Sequence, residues 1–104
     1  MNAPVTEVAL PEWVARLTAI GGEDCPWVSI TDAQPFLPVP RNKGYTEAQR
    51  YLRRIDKECK RRHSFLLPMD ALYARDGELP AIREGRSILL PKHLLIVKLL
   101  GREP

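Results

Sequence analysis

The sequence predicts an α+β fold that is mainly α-helical with a small β-ribbon. Apolar residues recur at helical spacing in several stretches, most clearly between Thr46 and Arg62. Toward the C-terminus, two short apolar runs flank Glu84-Gly85-Arg86, which is typical of a tight turn between antiparallel strands. A length of 104 residues is enough for one core. We therefore expect a flexible tail at residues 1–10 and a single domain at residues 11–104.

The composition argues against several classes of protein. A hydrophobic fraction of 44% argues against disorder. Two cysteines, Cys25 and Cys59, are too few for a disulfide framework, so we expect a reducing, cytoplasmic compartment. The longest apolar run falls short of the ~20 residues that span a bilayer, and we expect no signal peptide. A net charge of +3 permits an anionic partner without requiring one.

The N-terminal third predicts a helix, a strand and a second, short helix. Pro11 suits the first turn of a helix that ends before Gly21-Gly22 and carries the apolar stripe Trp13, Leu17 and Ile20. Cys25–Ile30 is an apolar strand or extended segment. Thr31 and Gln34 have the spacing of a capping box, and the inward-facing residues of this short helix would be Ala33, Phe36 and Leu37.

The strongest helical pattern follows the predicted loop at Pro38–Tyr45. Thr46 is a plausible N-cap for a helix that ends near Arg62. The stripe predicted to face the core comprises Ala48, Leu52, Ile55 and Cys59. The opposite face carries the basic residues Arg50, Arg53, Arg54, Lys57, Lys60 and Arg61.

The C-terminal third predicts four short elements. Ser64–Pro68 reads as a short strand, and residues 68–77 as about two helical turns. A ribbon follows at residues 79–90, with Gly85 free to adopt positive φ at its turn. Pro91 would start the last helix and Gly101 would end it.

The last helix is apolar on nearly every side, so it must be covered on most sides. Trp13 and Leu17 of the first helix can supply part of that cover. If they do not suffice, the rest would be a homodimer or protein-partner interface formed by Leu95, Ile96, Leu99 and Leu100.

The order of short helix, basic helix, ribbon and helix is that of a winged helix-turn-helix domain, here with an extra N-terminal helix. The ribbon and its flanks also resemble the wing of the excisionase-like, MerR-related DNA-binding domains. The matching positions are Gly77, Leu79, Pro80, Ala81, Gly85, Arg86, Ile88 and Leu94. Ile30, Thr31, Ala33 and Leu37 resemble the opening helix of that family.

The middle of the chain departs from the family pattern, which leaves two candidates for the recognition helix. The loop at Pro38–Tyr45 is longer than the family's turn, and residues 63–76 are an insert before the wing. Either 46–62 or 69–76 could be the recognition helix. We prefer 46–62, since Lys and Arg supply most non-specific affinity for DNA and the second segment offers only Arg75.

These observations predict a sequence-specific protein that binds double-stranded DNA without a cofactor or catalysis. The helix 46–62 would enter the major groove, and the wing 79–90 would contact the backbone or minor groove. The predicted DNA-binding residues are Gln49, Arg50, Arg53, Arg54, Lys57, Lys60, Arg61, Arg83 and Arg86. The resemblance implies a transcriptional regulator, excisionase or recombination directionality factor of a phage or mobile element, in a bacterial cytoplasm.

Other interpretations of the same residues stay open. The basic face could be an ordinary solvated helix surface. Cys25, Cys59, His63 and His93 lack the paired spacing of a zinc site, and no motif of catalysis is present. The alternative function is a protein-interaction module of winged-helix shape, such as a phage-encoded inhibitor, that uses the last helix and residues 65–73.

Overall fold

The computed structural model describes residues 10–102, which form a mainly helical α+β fold with a small antiparallel sheet. The helices are α1 (Glu12–Ala19), α2 (Ile30–Ala33, extended by a 3-10 turn at Gln34–Phe36), α3 (Arg41–Arg62), α4 (Met69–Leu72) and α5 (Lys92–Arg102). The strands are β1 (Trp27–Ser29), β2 (Ile82–Glu84) and β3 (Ser87–Pro91). The α+β prediction is confirmed. The tail predicted at residues 1–10 lies, apart from Leu10, outside the described residues.

The predicted ribbon is two strands of a three-stranded sheet. β3 is central, and it pairs with β2 through Arg83 opposite Ile88 and with β1 through Val28 opposite Leu90. Val28 and Leu90 are buried, so burial of this apolar pair favours the extra pairing. Gly85 adopts φ +61° at the β2–β3 turn, the conformation expected of a glycine there.

The core lies between the sheet, α1, α3 and α5. Its fully buried side chains include Leu17, Ile30, Leu79, Leu90 and Leu95. Leu95 and Leu99 lie inside this core, so two of the four positions proposed as a partner surface on α5 are not on the surface. The predicted cover from Trp13 and Leu17 is present, because α1 packs on α5 and both residues belong to or contact the core cluster.

The buried ammonium group of Lys92 connects the first helix, α1, to the last helix, α5. Lys92 is only 5% exposed, and its Nζ donates to the carbonyls of Thr18 at 2.7 Å, Ile20 at 2.5 Å and Gly22 at 3.1 Å. These carbonyls belong to the end of α1 and the turn after it, where backbone acceptors lack helical partners and favour a cation. Lys92 thereby fixes the end of α1 to the start of α5.

Three predicted boundaries of α2 and α5 are wrong. Ser29, and not Thr31, caps α2, because its Oγ accepts from the Asp32 N–H at 3.0 Å. Pro91 is the last residue of β3, and α5 starts at Lys92 and continues through Gly101 to Arg102.

The predicted loop at 38–45 is mostly helix. α3 begins at Arg41, directly after Pro40, which is extended at φ −65° and ψ 161°. Thr46, predicted as the N-cap, lies inside α3, where its hydroxyl donates to the Asn42 carbonyl at 3.1 Å. Gly44 is a buried contact point of α3. A Cβ there would lie 3.5 Å from Leu37, 3.8 Å from Leu79 and 3.9 Å from Ile30. A residue without a side chain therefore lets α3 approach these neighbours closely.

The segment between α3 and the ribbon has less regular structure than predicted. Residues 64–68 form no strand, and the predicted helix at 68–77 is the single turn α4. Tyr73 is extended at ψ 135°, which ends the helix. α4 is therefore too short to act as the recognition helix proposed for 69–76, and α3 remains as the long exposed helix beside the ribbon.

Replacing Lys92 with methionine should lower the free energy of unfolding by about 2–3 kcal/mol, because three carbonyls lose their donor inside the protein. Urea denaturation followed by circular dichroism would measure the change. Lys43→Met is the control, since Lys43 is exposed, and it should alter stability by less than about 0.5 kcal/mol. A Lys92→Met protein as stable as the native one would contradict the role given to this ammonium group.

Candidate nucleic-acid interface

α3 packs on the core through one side of its N-terminal half. The buried residues of the helix are Gly44, Glu47, Ala48 and Tyr51. The Glu47 carbonyl also accepts from the Leu79 N–H at 3.2 Å, which ties α3 to the chain just before β2. Of the predicted core stripe, Ala48 is fully buried, whereas Leu52, Ile55 and Cys59 are half-buried at the edge of the core.

A second side of α3 is fixed by Arg54. Its Nε donates to both carboxylate oxygens of Glu78, at 3.1 Å and 2.9 Å, and its two terminal nitrogens donate to the carbonyls of Ala71 at 3.0 Å and Tyr73 at 3.1 Å. The side chains of Arg54 and Glu78 are 17% and 9% exposed. Every guanidinium nitrogen of Arg54 therefore has a partner inside the protein, so this predicted DNA-binding side chain is bound to the chain's own segment at 71–78.

Glu78 is the acceptor at the centre of this cluster. Besides Arg54, the Arg75 N–H donates to it at 2.9 Å. Burial acts to raise the pKa of Glu78, but the hydrogen bonds from Arg54 and the Arg75 N–H outweigh burial, so its pKa lies below the ordinary carboxyl value. The carboxylate is thus charged at neutral pH and balances the buried guanidinium.

Tyr51 completes the attachment of α3 to the segment at 71–78. Its hydroxyl donates to the Leu72 carbonyl at 2.6 Å, and the Arg54 guanidinium lies 5.5 Å from the centre of its ring. Burial raises the pKa of the Tyr51 hydroxyl, with the nearby Arg54 acting in the opposite direction. The phenol therefore stays protonated as a donor, and α4 is held against α3.

The remaining side of α3 is solvent-exposed and carries cations that make no ion pair or side-chain hydrogen bond within residues 10–102. We call this surface, together with the ribbon, the basic face. Its members are Gln49, Arg50, Arg53 and Lys57 on α3 and Arg83 and Arg86 at the ribbon, and all six are exposed.

The basic face is continuous from helix to ribbon. Gln49 and Arg86 line one cleft of about 440 Å³. Arg53 and Arg83 line another, of about 640 Å³. Since Gln49 and Arg53 are one turn apart on α3, the ribbon runs alongside this part of the helix. The structure thus brings four of the predicted residues to one surface, and Arg50 and Lys57 continue that surface along α3.

Lys60 and Arg61 lie at the periphery of the basic face and are paired locally. Lys60 Nζ is 3.3 Å from an Asp56 carboxylate oxygen, and Arg61 binds Glu58, which Arg62 also contacts at 3.2 Å. Hydrogen bonds from Arg61 and Arg62 lower the pKa of Glu58. These exposed ion pairs are weak, so Lys60 and Arg61 are not held in place as Arg54 is by Glu78.

The first turns of α3 expose Arg41, Asn42 and Lys43, which the sequence predicts as loop. Pro40 before a polar stretch is the signal that indicates an earlier helix start. In the loop after α3, Phe65 and Leu66 are 94% and 88% exposed. The sequence predicts both in a strand and, in the alternative function, in a protein-interaction segment at 65–73.

Over the part of the chain that the structure describes, no group of three or more His, Cys, Asp or Glu residues could hold a metal ion. Cys25 and Cys59 are both free thiols. No helix within residues 10–102 has the length and apolar character needed to cross a membrane.

Comparison with known proteins returned no match: no family model, no curated protein and no solved structure matches this chain.

Replacing Glu78 with glutamine should lower the free energy of unfolding by about 3 kcal/mol at neutral pH, because Arg54 loses its counter-charge. The folded-state pKa of Glu78 lies below its ordinary value. The ionised Glu78 carboxylate therefore contributes its full stabilisation at pH values above the ordinary pKa of a carboxyl group. This contribution is lost as the pH falls through the lowered pKa of Glu78 in the folded protein. Urea denaturation at a series of pH values would measure both effects.

The control for this experiment is Asp70→Asn, which removes an exposed carboxylate. Asp70→Asn should change the free energy of unfolding little, and this free energy should fall at low pH as it does in the native protein. In Glu78→Gln the fall at low pH should be smaller. Equal acid dependence in Glu78→Gln and native protein would show that Glu78 is not the group responsible.

Proposed function

We propose that this chain is a winged helix-turn-helix protein that binds double-stranded DNA in a sequence-specific manner. In this proposal α2 and α3 form the helix-turn-helix, α3 is the recognition helix in the major groove, and β2–β3 is the wing. The basic face carries the proposal, since exposed cations of one helix and of the adjacent ribbon lie on one side of the molecule without partners in the described chain.

The lengths of the elements support this assignment. α3 has 22 residues, or about 33 Å at 1.5 Å per residue, and a helix of that length with one exposed side can lie in the major groove. Only residues 37–40 separate the turn at Gln34–Phe36 from α3. This connection is shorter than the loop predicted from the sequence, and it agrees better with the short turn of a helix-turn-helix.

The proposed contacts divide by chemistry. Arg53 is suited to guanine and Gln49 to adenine, and a bidentate contact of either kind discriminates by about 1–3 kcal/mol. Arg50 and Lys57 would neutralise phosphates beside them. Arg83 and Arg86 would contact the backbone or a narrow minor groove. Such a protein needs no catalysis and no cofactor, and its role would be that of a transcriptional regulator or a recombination directionality factor.

A protein-interaction module is the second candidate. Of the two surfaces predicted for it, the last helix and residues 65–73, the structure exposes mainly the second. Leu95 and Leu99 are buried in the core, so α5 offers a partner mainly the exposed Val97 and the edges of half-buried neighbours. The exposed Phe65 and Leu66 are the observation that still favours it.

Fluorescence anisotropy with a labelled duplex of random sequence would test the proposal at about 50 mM and about 200 mM salt. We expect binding at the lower concentration that falls steeply at the higher one. Arg83→Ala should weaken binding and reduce the slope of log affinity against log salt by about 1, because one phosphate contact is lost. Arg53→Ala should weaken binding without unfolding the protein.

Arg16→Ala is the matched control, because it removes one exposed cation of α1, which is not part of the basic face. It should leave both the affinity and the salt slope close to the native values. Absence of binding at low salt would overturn the proposal, and an Arg16→Ala defect as large as that of Arg83→Ala would show that the basic face is not the binding surface.

A further inference from the structure

The loop that follows α3 exposes two large apolar side chains. Phe65 is 94% and Leu66 is 88% exposed, more than the other exposed large hydrophobic residues of the described chain. Consecutive residues that expose apolar side chains to this extent are unfavourable in water and favour a surface that a partner covers.

The loop backbone is defined by hydrogen bonds at its start. His63 adopts the left-handed conformation at φ 52°, and the Ser64 N–H donates to the Cys59 carbonyl at 3.1 Å, which ends α3 as a tight helical cap. The Leu66 N–H then donates to the Ser64 hydroxyl oxygen at 3.0 Å. These contacts fix the turn that presents Phe65 and Leu66, so their exposure follows from the fold of the loop.

Phe65 lies at the edge of the basic face. It lines the cleft of about 640 Å³ that Arg53 and Arg83 also line, and half-buried Leu52 and Ile55 form apolar parts of that cleft. The exposed ring is thus next to one cation of the recognition helix and one cation of the ribbon.

The charges around the loop favour a polyanion over an apolar protein surface. Arg61 and Arg62 immediately precede it on α3, and together they face the one carboxylate of Glu58. Asp56, the acidic residue of the cleft, is paired with Lys60. A partner that covers Phe65 therefore has to accept an aromatic ring and also meet the positive charge of Arg53 and Arg83, which line the same cleft.

We propose that Phe65 and Leu66 form an apolar wedge that enters a base step of double-stranded DNA and kinks the duplex. This inference rests on the proposed function. Base pairs offer an apolar stack for the side chains, and the phosphates near the step would meet Arg53 and Arg83. Apolar wedges of minor-groove-binding proteins unstack a step and bend DNA by about 20–90°, and we expect a comparable bend here. Pyrimidine–purine steps are the easiest to open, so a T-A step is the favoured site.

The test uses the full chain and a duplex of about 30 base pairs with one central T-A step, a length over which a kink of this size is measurable. Donor and acceptor dyes at the two ends report bending by energy transfer. A second copy of the duplex carries 2-aminopurine at the adenine of that step, and its fluorescence rises when the base unstacks. Anisotropy on the same samples gives the affinity, so binding and bending are measured separately.

We expect the native protein to raise both signals. Phe65→Ala should reduce the change in energy transfer at least about threefold, with an affinity loss of less than about tenfold, because the phosphate contacts of the basic face remain. Phe65→Leu should retain most of the bending, since it keeps an apolar side chain. Val97→Ala is the matched control, because Val97 is also exposed, at 41%, but lies on α5 and not at this cleft.

The outcomes separate the wedge from the proposed function. A protein that binds the duplex but leaves it straight would overturn the wedge and keep the DNA-binding proposal. If Phe65→Ala bends the duplex as much as the native protein does, the wedge proposal is overturned, and a protein partner becomes the better explanation of the exposed loop. No binding by anisotropy at about 50 mM salt would overturn both proposals.

Discussion

The guanidinium of Arg54 is the group on which the arrangement of the basic face depends. It binds Glu78 and two backbone carbonyls, so it fixes α3 to the chain that leads into β2. Glu78 is followed by the buried residues Leu79–Ala81, and β2 begins at Ile82. The position of the ribbon relative to α3 is therefore set by this cluster as well as by apolar packing. Loss of either partner would leave a buried charge without its counter-charge.

This arrangement divides the basic residues of α3 into two kinds. Arg54 neutralises Glu78 inside the protein, whereas Arg53, its neighbour in sequence, is exposed beside Arg83. The number of basic residues in α3 is thus larger than the number of cations exposed on its surface. Asp56 and Glu58 pair with Lys60, Arg61 and Arg62 near the C-terminal end of the helix, whereas Arg53 has no carboxylate partner among the described residues. Arg53 of the helix and Arg83 of the ribbon thus present positive charge at the same cleft.

Much of the fold could be predicted from local patterns. The apolar stripe of α1, the turn at Gly85 and the length of basic helix beyond Thr46 depend on residues close in sequence, and the structure confirms them. The pairing of β1 with β3 could not be predicted in this way, since its partners are distant in the chain. The helix start at Arg41 could not be predicted either, because the close approach of Gly44 to Leu37 and Leu79 is a tertiary contact. In the candidate site, Arg54 and Arg53 are indistinguishable by residue type, and only the position of Glu78 separates their roles.

The junction between β3 and α5 has a mechanical consequence. Pro91 ends the strand and Lys92 begins the helix, so no flexible linker separates them, and the proline ring restricts rotation at the join. Lys92 in turn binds the carbonyls at the end of α1. The ribbon, α5 and the end of α1 are thus connected without a flexible segment between them. We therefore expect a change in the tilt of the ribbon to move α5 and the end of α1 with it.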